Sequence, residues 1–399
     1  MIHYSEVVNE IKEYNRLINV EFIIGTKCQN ACKYCYRVPY QNRGEYIDMS
    51  LEDMKLYYNN AVEMGLITNN ALNLELFGGD PIIDLDYFKS VIAEFKDKFK
   101  NIIIPTNGRI LENVSDYEID SLIDLSDNKL AISLSVDGPL VENIQRPLSN
   151  FGKMQGFKQE RNWDRLIHLS KKYGWGFHPM FWLEHPETWF DTFKWFIDND
   201  LFVYLLEVRH GHHKDVNLIE GVYQLAKINE YCSKHNINKK TLNTILFFIV
   251  PRGLTCSALT TLYINSDGCV YFCHRLMNSR FKIANLRTKE INLNNYIALN
   301  AGYNFRNAAT CMLCPIRDIC PGPCLGMINE YWDNSGAISI PIPSMCKYNL
   351  LKAGYFIHRN YETWENINNS NVIHDAVYAN FGDNIYSILD ERLENDEQI

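Results

Sequence analysis

The sequence predicts an α/β architecture: a partial (β/α)6 barrel over residues 20–235, then a small cysteine-rich domain over residues 236–350. Three observations carry this expectation. Short apolar runs rich in Ile, Val, Leu and aromatics alternate with longer helical runs from Val20 to about residue 208, the pattern of a parallel sheet with outer helices. Motifs bearing Gly, Ser and Asn recur just after the apolar runs, at the strand ends where chemistry in such folds collects. Most of the twelve cysteines fall into two groups, one in each half of the chain.

The expected strands are Val20–Ile24, Leu72–Phe77, Ile102–Pro105, Leu130–Val136, Gly176–Phe181 and Phe202–Val208. Between them the expected helices are Leu51–Met64, Leu85–Lys98, Tyr117–Leu125, Arg161–Lys172 and Glu187–Asn199. Ser50, with Asp53 three residues on, resembles a capping box that opens the first of these. Residues 1–19 form an N-terminal segment. In the second half, Thr261 to Cys273 reads as a β-hairpin turning at Asp267-Gly268, a pair that tolerates positive φ. It would bring Cys273 back beside Cys256. A helix over Lys347–Arg359 would close the cysteine-rich domain, and residues 351–399 form a C-terminal helical cap and tail ending in a solvated Glu-Asn-Asp-Glu-Gln-Ile.

Composition narrows the class. With 399 residues and 46% hydrophobic content the chain can bury a large core. The N-terminus lacks a basic region followed by an apolar core, and no run approaches the ~20 apolar residues of a membrane span. A reducing, cytoplasmic setting is expected, in which clustered cysteines bind metal and do not form disulfides. A net charge of −9 argues against a nucleic-acid partner.

The first cysteine group is Cys28, Cys32 and Cys35, spaced C-x3-C-x2-C directly after the first apolar run. Zinc also accepts close thiolates but wants a fourth ligand, and Ile18 to Met49 offers no other Cys and no His. Three thiolates can instead hold a [4Fe–4S] cube with one iron left for a ligand that is not protein. The motif, followed by Tyr36, resembles that of the radical S-adenosylmethionine (SAM) enzymes. The resemblance implies a partial TIM barrel, SAM held on the free iron, and a 5′-deoxyadenosyl radical made by one-electron cleavage of SAM.

Further segments carry the same resemblance. Gly78-Gly79-Asp80-Pro81 matches the family's Gly-Gly-Glu-Pro with Asp in place of Glu, and its glycines allow close backbone approach to a ligand. Thr106 and Asn107 after the third strand, and Ser133, Ser135 and Asp137 along the fourth, look like SAM-facing segments. By the two-residue period the last three share one face of the strand, so their polar groups can point into the barrel together. Arg146 would pair with the SAM carboxylate or lie on the surface. The run Glu207-Val-Arg-His-Gly-His-His213 reads as a polar loop wall, with a proton-transfer role as the alternative.

The second group, Cys256, Cys273, Cys311, Cys314, Cys320, Cys324 and Cys346, matches in order and spacing the SPASM domain, an iron–sulfur extension of radical SAM enzymes acting on peptides. A zinc ribbon stays open for Cys311 to Cys324 alone. By resemblance, Cys256, Cys273 and Cys324 hold one auxiliary [4Fe–4S] cluster and Cys311, Cys314, Cys320 and Cys346 a second, so three clusters are implied in all. The first auxiliary cluster would lack one protein thiolate, and its open iron can bind a substrate thiolate. Cys269 lies roughly 13 Å along its strand from Cys273, at ~3.3 Å per residue, too far to share a cube, and reads as hairpin packing. Cys232 reads as a core thiol.

Sulfatase maturases of this kind carry an Asp after the hairpin cysteine, where this chain has His274. Cys273-His-Arg followed by Phe281-Lys-Ile-Ala-Asn looks more like maturases of ribosomally made peptides. That resemblance implies an intramolecular thioether or C–C cross-link, with an auxiliary cluster taking the second electron and His274 as a candidate base or a structural cap. Formylglycine formation, epimerisation and a non-catalytic metal-binding protein are the alternatives. Expected partners are a peptide or protein substrate and a flavodoxin or ferredoxin as external one-electron reductant. Only 27 residues precede Cys28, too few for an N-terminal leader-binding domain, so leader recognition is expected from a separate leader-peptide-binding protein, the C-terminal region or the barrel mouth.

Overall fold

The computed structural model describes residues 19–35, 37, 48–67, 71–203, 207–209, 216–237, 261–271, 273–277, 279–292, 294–295, 309–320, 324–332, 341–361, 367 and 370–396. Contacts divide the chain into two compact units. The first comprises residues 1–136, 146–176 and 256–303, and the second residues 137–145, 177–255 and 304–399.

The first unit is built on a twisted sheet. Strands β1 (Asn19–Gly25), β2 (Asn73–Gly78), β3 (Asn101–Thr106) and β4 (Leu130–Leu134) run parallel in sequence order. The β-branched and leucine residues of each strand bury one face: Val20 and Phe22, Leu74 and Leu76, Ile102 and Ile104 are at most 1% exposed. Phe22 meets Phe95 of helix α2, so this face packs on the helical layer. Every second residue then points to the other face, which places Glu21, Glu75 and Ile103 side by side there.

Helices α1 (Leu51–Glu63), α2 (Leu85–Phe95), α3 (Asp116–Leu125), α4 (Asn150–Met154) and α5 (Trp163–Tyr173) return between or beside the strands. Each starts where a short polar side chain satisfies a free N–H of the first turn. Ser50 accepts from Asp53, Asp84 from Asp86 and Tyr87, Ser115 forms a full capping box with Glu118, and Asn162 accepts from Arg165. Helix α5 stops at Gly174, which takes the left-handed conformation with φ 68°.

The hairpin expected in the second half is present, with β8 (Thr261–Ile264) antiparallel to β9 (Cys269–Tyr271) and Gly268 at φ 79°. Its surroundings were not foreseen. β8 pairs in parallel with β1, so the hairpin continues the sheet of the first half, followed by β10 (Ala284–Asn285) and β11 (Glu290–Ile291). Helix α1 holds this extension: Asn60 donates to the Leu286 carbonyl at 2.7 Å, and a Cβ on Gly268 would come within 2.9 Å of the Tyr57 ring.

The fifth expected strand is broken. Gly176–Phe181 becomes β5 (Gly176–Phe177), the edge of the large sheet, and β6 (Met180–Trp182). Pro179 has no N–H for the ladder and interrupts the run. Of the sixth, residues 204–206 lie outside the described residues; Val203 bridges Phe177, and β7 (Glu207–Arg209) pairs in parallel with β6.

The second unit also carries a helical core. Helix α6 is Trp189–Asp198, α7 Leu218–Lys234, α8 Leu325–Tyr331, α9 Pro343–His358, α10 Ser370–Phe381 and α11 Ile385–Glu394. Gly221 of α7 lets Tyr348 of α9 and Leu183 approach to 3.2 Å of where a Cβ would stand. The C-terminal cap is thus two helices. Its acidic end differs from the expected solvated tail, since Asp396 pairs with the buried Lys227 at 2.7 Å. Among the described residues no helix is long and apolar enough to cross a membrane.

Candidate functional site

The ends of β1, β2 and β3 converge on the first cysteine group. Beyond β1 the loop carrying Cys28 is held by backbone bonds from both sides. Gly79 N–H donates to the Gly25 carbonyl at 2.9 Å and Asp80 N–H to the Lys27 carbonyl at 2.8 Å. The two glycines are required by this contact: a Cβ on Gly79 would stand 1.9 Å from the Lys27 oxygen, and one on Gly78 2.3 Å from the Gly25 oxygen. The close approach that the Gly-Gly motif permits is therefore filled by the cysteine loop itself.

The opposite side is clamped by residues 147–152. Ala31 N–H donates to the Pro147 carbonyl, Ser149 N–H to Gln29, and the Ser149 hydroxyl to the Cys28 carbonyl at 2.6 Å. Ser149 also caps α4, and Gly152 in that helix lies where a Cβ would press the Gln29 carbonyl at 2.3 Å. Arg109, 2% exposed, donates to Asn30 Oδ1 at 2.6 Å and to the Lys158 carbonyl. Arg161 donates to the Asn107 carbonyl and to Glu112. Sequence reasoning assigned no role to Gln29, Asn30, Arg109, Ser149 and Arg161; of these only Arg109, two residues after Asn107, adjoins a motif in the sequence.

Thr106 and Asn107 sit at the centre of this assembly. Thr106 donates to Asp80 Oδ1 at 2.8 Å, while Asn107 donates to Gln29 Oε1 at 2.7 Å and to Cys28 Sγ at 3.5 Å. Asp80 is 3% exposed, and burial pushes its carboxyl up to about 6. Burial first, then the Asp80 charge and Cys32, push the Cys28 thiol well up. A bound cation reverses that, because coordination holds a thiol deprotonated. Arg146 is 5% exposed, so of its two readings the surface one falls; its Nη1 lies 3.9 Å from Cys32 Sγ and its guanidinium over the Tyr34 ring.

Ser133 and Ser135 also belong to the first unit, and Ser135 N–H donates to the Thr106 carbonyl. The shared face does not extend to Asp137. β4 ends at Leu134, and a Val136 N–H to Leu134 carbonyl bond turns the chain, so the two-residue alternation stops there. Asp137 uses Oδ1 to accept from the Met180 N–H, and its own N–H donates to Glu142. Tyr36, Cys256 and the His run at 210–213 lie outside the described residues.

His274 is packed on three sides. Its ring stacks on Phe77 at 4.7 Å, meets Tyr263 edge-on at 5.3 Å, and turns Nδ1 to within 3.4 Å of Glu21 Oε1. In the second unit, burial and the neighbouring Cys320, Cys311 and Cys314 push the Cys346 thiol up to about 12, so these four thiols lie in one electrostatic neighbourhood. Cys324 is the N-cap of α8. Cys273 and Cys269 are buried in the first unit, and Cys232 is a core thiol pushed up to about 12 by burial. Among the described residues no group of three or more His, Cys, Asp or Glu is drawn to ion-holding distance.

The residues around Cys28 fit a [4Fe–4S] cluster and SAM on their own chemistry. Asp80 Oδ2, Ser133 Oγ, Gln29 Nε2 and Asn30 Nδ2 are buried without a hydrogen-bond partner among the described residues. Such groups are costly unless a polar ligand satisfies them. An amino acid moiety and a ribose offer the donors and acceptors needed.

Comparison with known proteins agrees. Residues 20–156 match the family model of a 4Fe-4S single cluster domain. The chain is 24% identical over 371 residues to the radical SAM cyclopropyl synthase TigE of Paramaledivibacter caminithermalis, covering 83% of this chain and 73% of that one. Among solved structures, native anSMEcpe with bound AdoMet aligns over 87% of this chain and 99% of its own with TM-score 0.61 at 17% identity. Streptococcus suis SuiB bound to S-adenosylmethionine aligns over 85% and 80% with TM-score 0.53 at 16% identity. The chain shares the α/β fold of these solved structures, with a parallel sheet and a cysteine-rich C-terminal region, and its sequence is similar to that of TigE.

Proposed function

We propose that this chain, similar in sequence to TigE, is a radical SAM maturase that closes an intramolecular C–C or thioether bond in a ribosomally made peptide. The observation carrying the reading is similarity to a cyclopropyl synthase over 371 residues, joined to a cysteine loop fixed at the strand ends. In this reading Cys28, Cys32 and Cys35 hold the SAM-binding cluster. Asp80, Thr106, Asn107, Ser133, Ser135 and Arg146 surround SAM, and Asp137 is a further contact. Together the reduced cluster and SAM supply a 5′-deoxyadenosyl radical that removes one hydrogen atom from the peptide.

The protein's own task is to fix one C–H bond and keep water out. Cys256, Cys273 and Cys324 hold one auxiliary cluster and Cys311, Cys314, Cys320 and Cys346 another, one of which takes the second electron. An external one-electron reductant, a flavodoxin or ferredoxin, serves the first cluster. The test is the intact mass of the short cysteine-containing peptide encoded beside the gene after anaerobic co-expression. Loss of two hydrogens with sulfur retained supports bond closure. Loss of sulfur points to formylglycine formation, and an unchanged mass refutes this peptide as substrate.

A further inference from the structure

The sulfurs of the first cysteine group accept N–H bonds of two origins. Asn30 N–H donates to Cys28 Sγ and Arg37 N–H to Cys35 Sγ, each at 3.4 Å. These are backbone donors two residues past their acceptors, supplied by the turns of the loop itself. Side chains from elsewhere in the first unit add to them. Arg146 Nη1 stands 3.9 Å from Cys32 Sγ, and Asn107 Nδ2, 79 residues from Cys28 in sequence, donates to Cys28 Sγ at 3.5 Å. Asn107 is the more firmly held of the two. Just beyond β3, its Oδ1 accepts from the Arg109 N–H at 2.9 Å and closes a tight turn through Gly108 at φ 76°. That bond fixes which end of the amide is which. The nitrogen faces the cysteine loop, and its two N–H groups go to Gln29 Oε1 at 2.7 Å and to Cys28 Sγ. Arg161 holds the Asn107 carbonyl at 2.6 Å, and Asn107 is 6% exposed, so water screens the N–H dipole little.

We propose that Asn107 sets the reduction potential of the SAM-binding cluster through its hydrogen bond to the Cys28 sulfur. The proposal deepens the maturase reading and rests on it only in taking Cys28 as a ligand of that cluster. One electron passes from the external reductant to the cluster, and no bond forms or breaks in that step. The added negative charge spreads onto the ligand sulfurs. An N–H aimed at one of them therefore stabilises the reduced form more than the oxidised form, and such bonds are among the levers by which a protein sets these potentials. The backbone donors of the loop are there whatever its side chains are, whereas the Asn107 bond is removed by one substitution. Asn107 acts through a ligand and is a positioning residue.

The test is the midpoint potential of that cluster in the reconstituted full chain, read by electron paramagnetic resonance in a redox titration without SAM or peptide. Its signal is the one that Cys28→Ala lacks. Asn107→Leu keeps the volume and removes the donor, and Asn107→Ala removes it without the bulk. Both are expected to keep the iron content of the wild type. The ratio of reduced to oxidised cluster at a fixed potential is expected to fall about tenfold, a midpoint ~59 mV more negative for one electron. If only one variant keeps its iron, that variant decides. An unmoved midpoint overturns the proposal, and weaker SAM binding beside it would make Asn107 a SAM contact. Loss of iron in both variants would make Asn107 an anchor of the loop and overturns the proposal as well. The two readings fail separately: a wild-type chain with no signal that depends on Cys28 sinks the radical SAM reading and this inference with it, whereas such a signal with an unmoved midpoint in the variants sinks this inference alone.

Discussion

The two cysteine groups are held in opposite ways. Around Cys28 the loop is bonded on both flanks by β2 and by residues 147–152, and Asn107, Arg109 and Arg161 fasten it at its base. Around Cys311, Cys314 and Cys320 the described backbone bonds are local turns, such as Cys314 N–H to Cys311 and Cys320 N–H to Ile316. The first cysteine loop is fastened by the fold itself. At the second, Cys346 lies in the electrostatic neighbourhood of Cys320, Cys311 and Cys314, and a metal bound there is expected to contribute directly to folding.

Substitution at the first site should separate chemistry from fold. Cys28→Ala is expected to abolish reductive SAM cleavage and to remove about four irons per chain, with the melting temperature of the apo protein little changed. Iron analysis and a thermal melt check this. Removing all iron should act the other way round. Hydrogen exchange is expected to rise 10-fold or more over 309–332, while amides of β1, β2 and β3 keep their protection; equal loss in both regions would break the comparison.

Gly79→Ala attacks the scaffold itself. The Lys27 oxygen is backbone and cannot step aside, so a cost of about 1–3 kcal/mol is expected, as for other overpacked sites, read as a lowered melting temperature. A further effect concerns pH. Glu75, raised to about 8 when folded, binds a proton that the unfolded chain has already released above about 4.3. Stability of the first unit should therefore fall as pH rises between those values, by at most about 1.4 kcal/mol per pH unit for this group. Denaturation of the Glu75→Gln variant across that range should show a shallower slope.

Much of the first half was legible because it is local. β1 to β4 and α1 follow from β-branched runs, a Ser cap and helical spacing, and their bounds differ from expectation by one or two residues at most. Gly176 to Phe181 also reads as a strand by composition, but Pro179 decides its continuity, and a single missing N–H outweighs the strand formers Phe177 and Phe181. The shared face expected for Ser133, Ser135 and Asp137 stops short for a related reason: β4 ends at Leu134 and the chain turns at Val136. The clamp by Arg109, Arg161 and Ser149 and the seating of β8 against β1 are contacts between distant segments, which neither period nor motif encodes.

That last pairing has a temporal side. Asn19 and Thr261 lie 242 residues apart, yet they pair as neighbours in one sheet. During synthesis at about 5–20 residues per second, β1 must wait roughly 10–50 s for the strand that covers its second edge. Until then the nascent chain exposes an open strand edge and the Glu21 carboxyl to water, so this edge is a point where a chaperone or a mispaired strand can intervene before the sheet is complete.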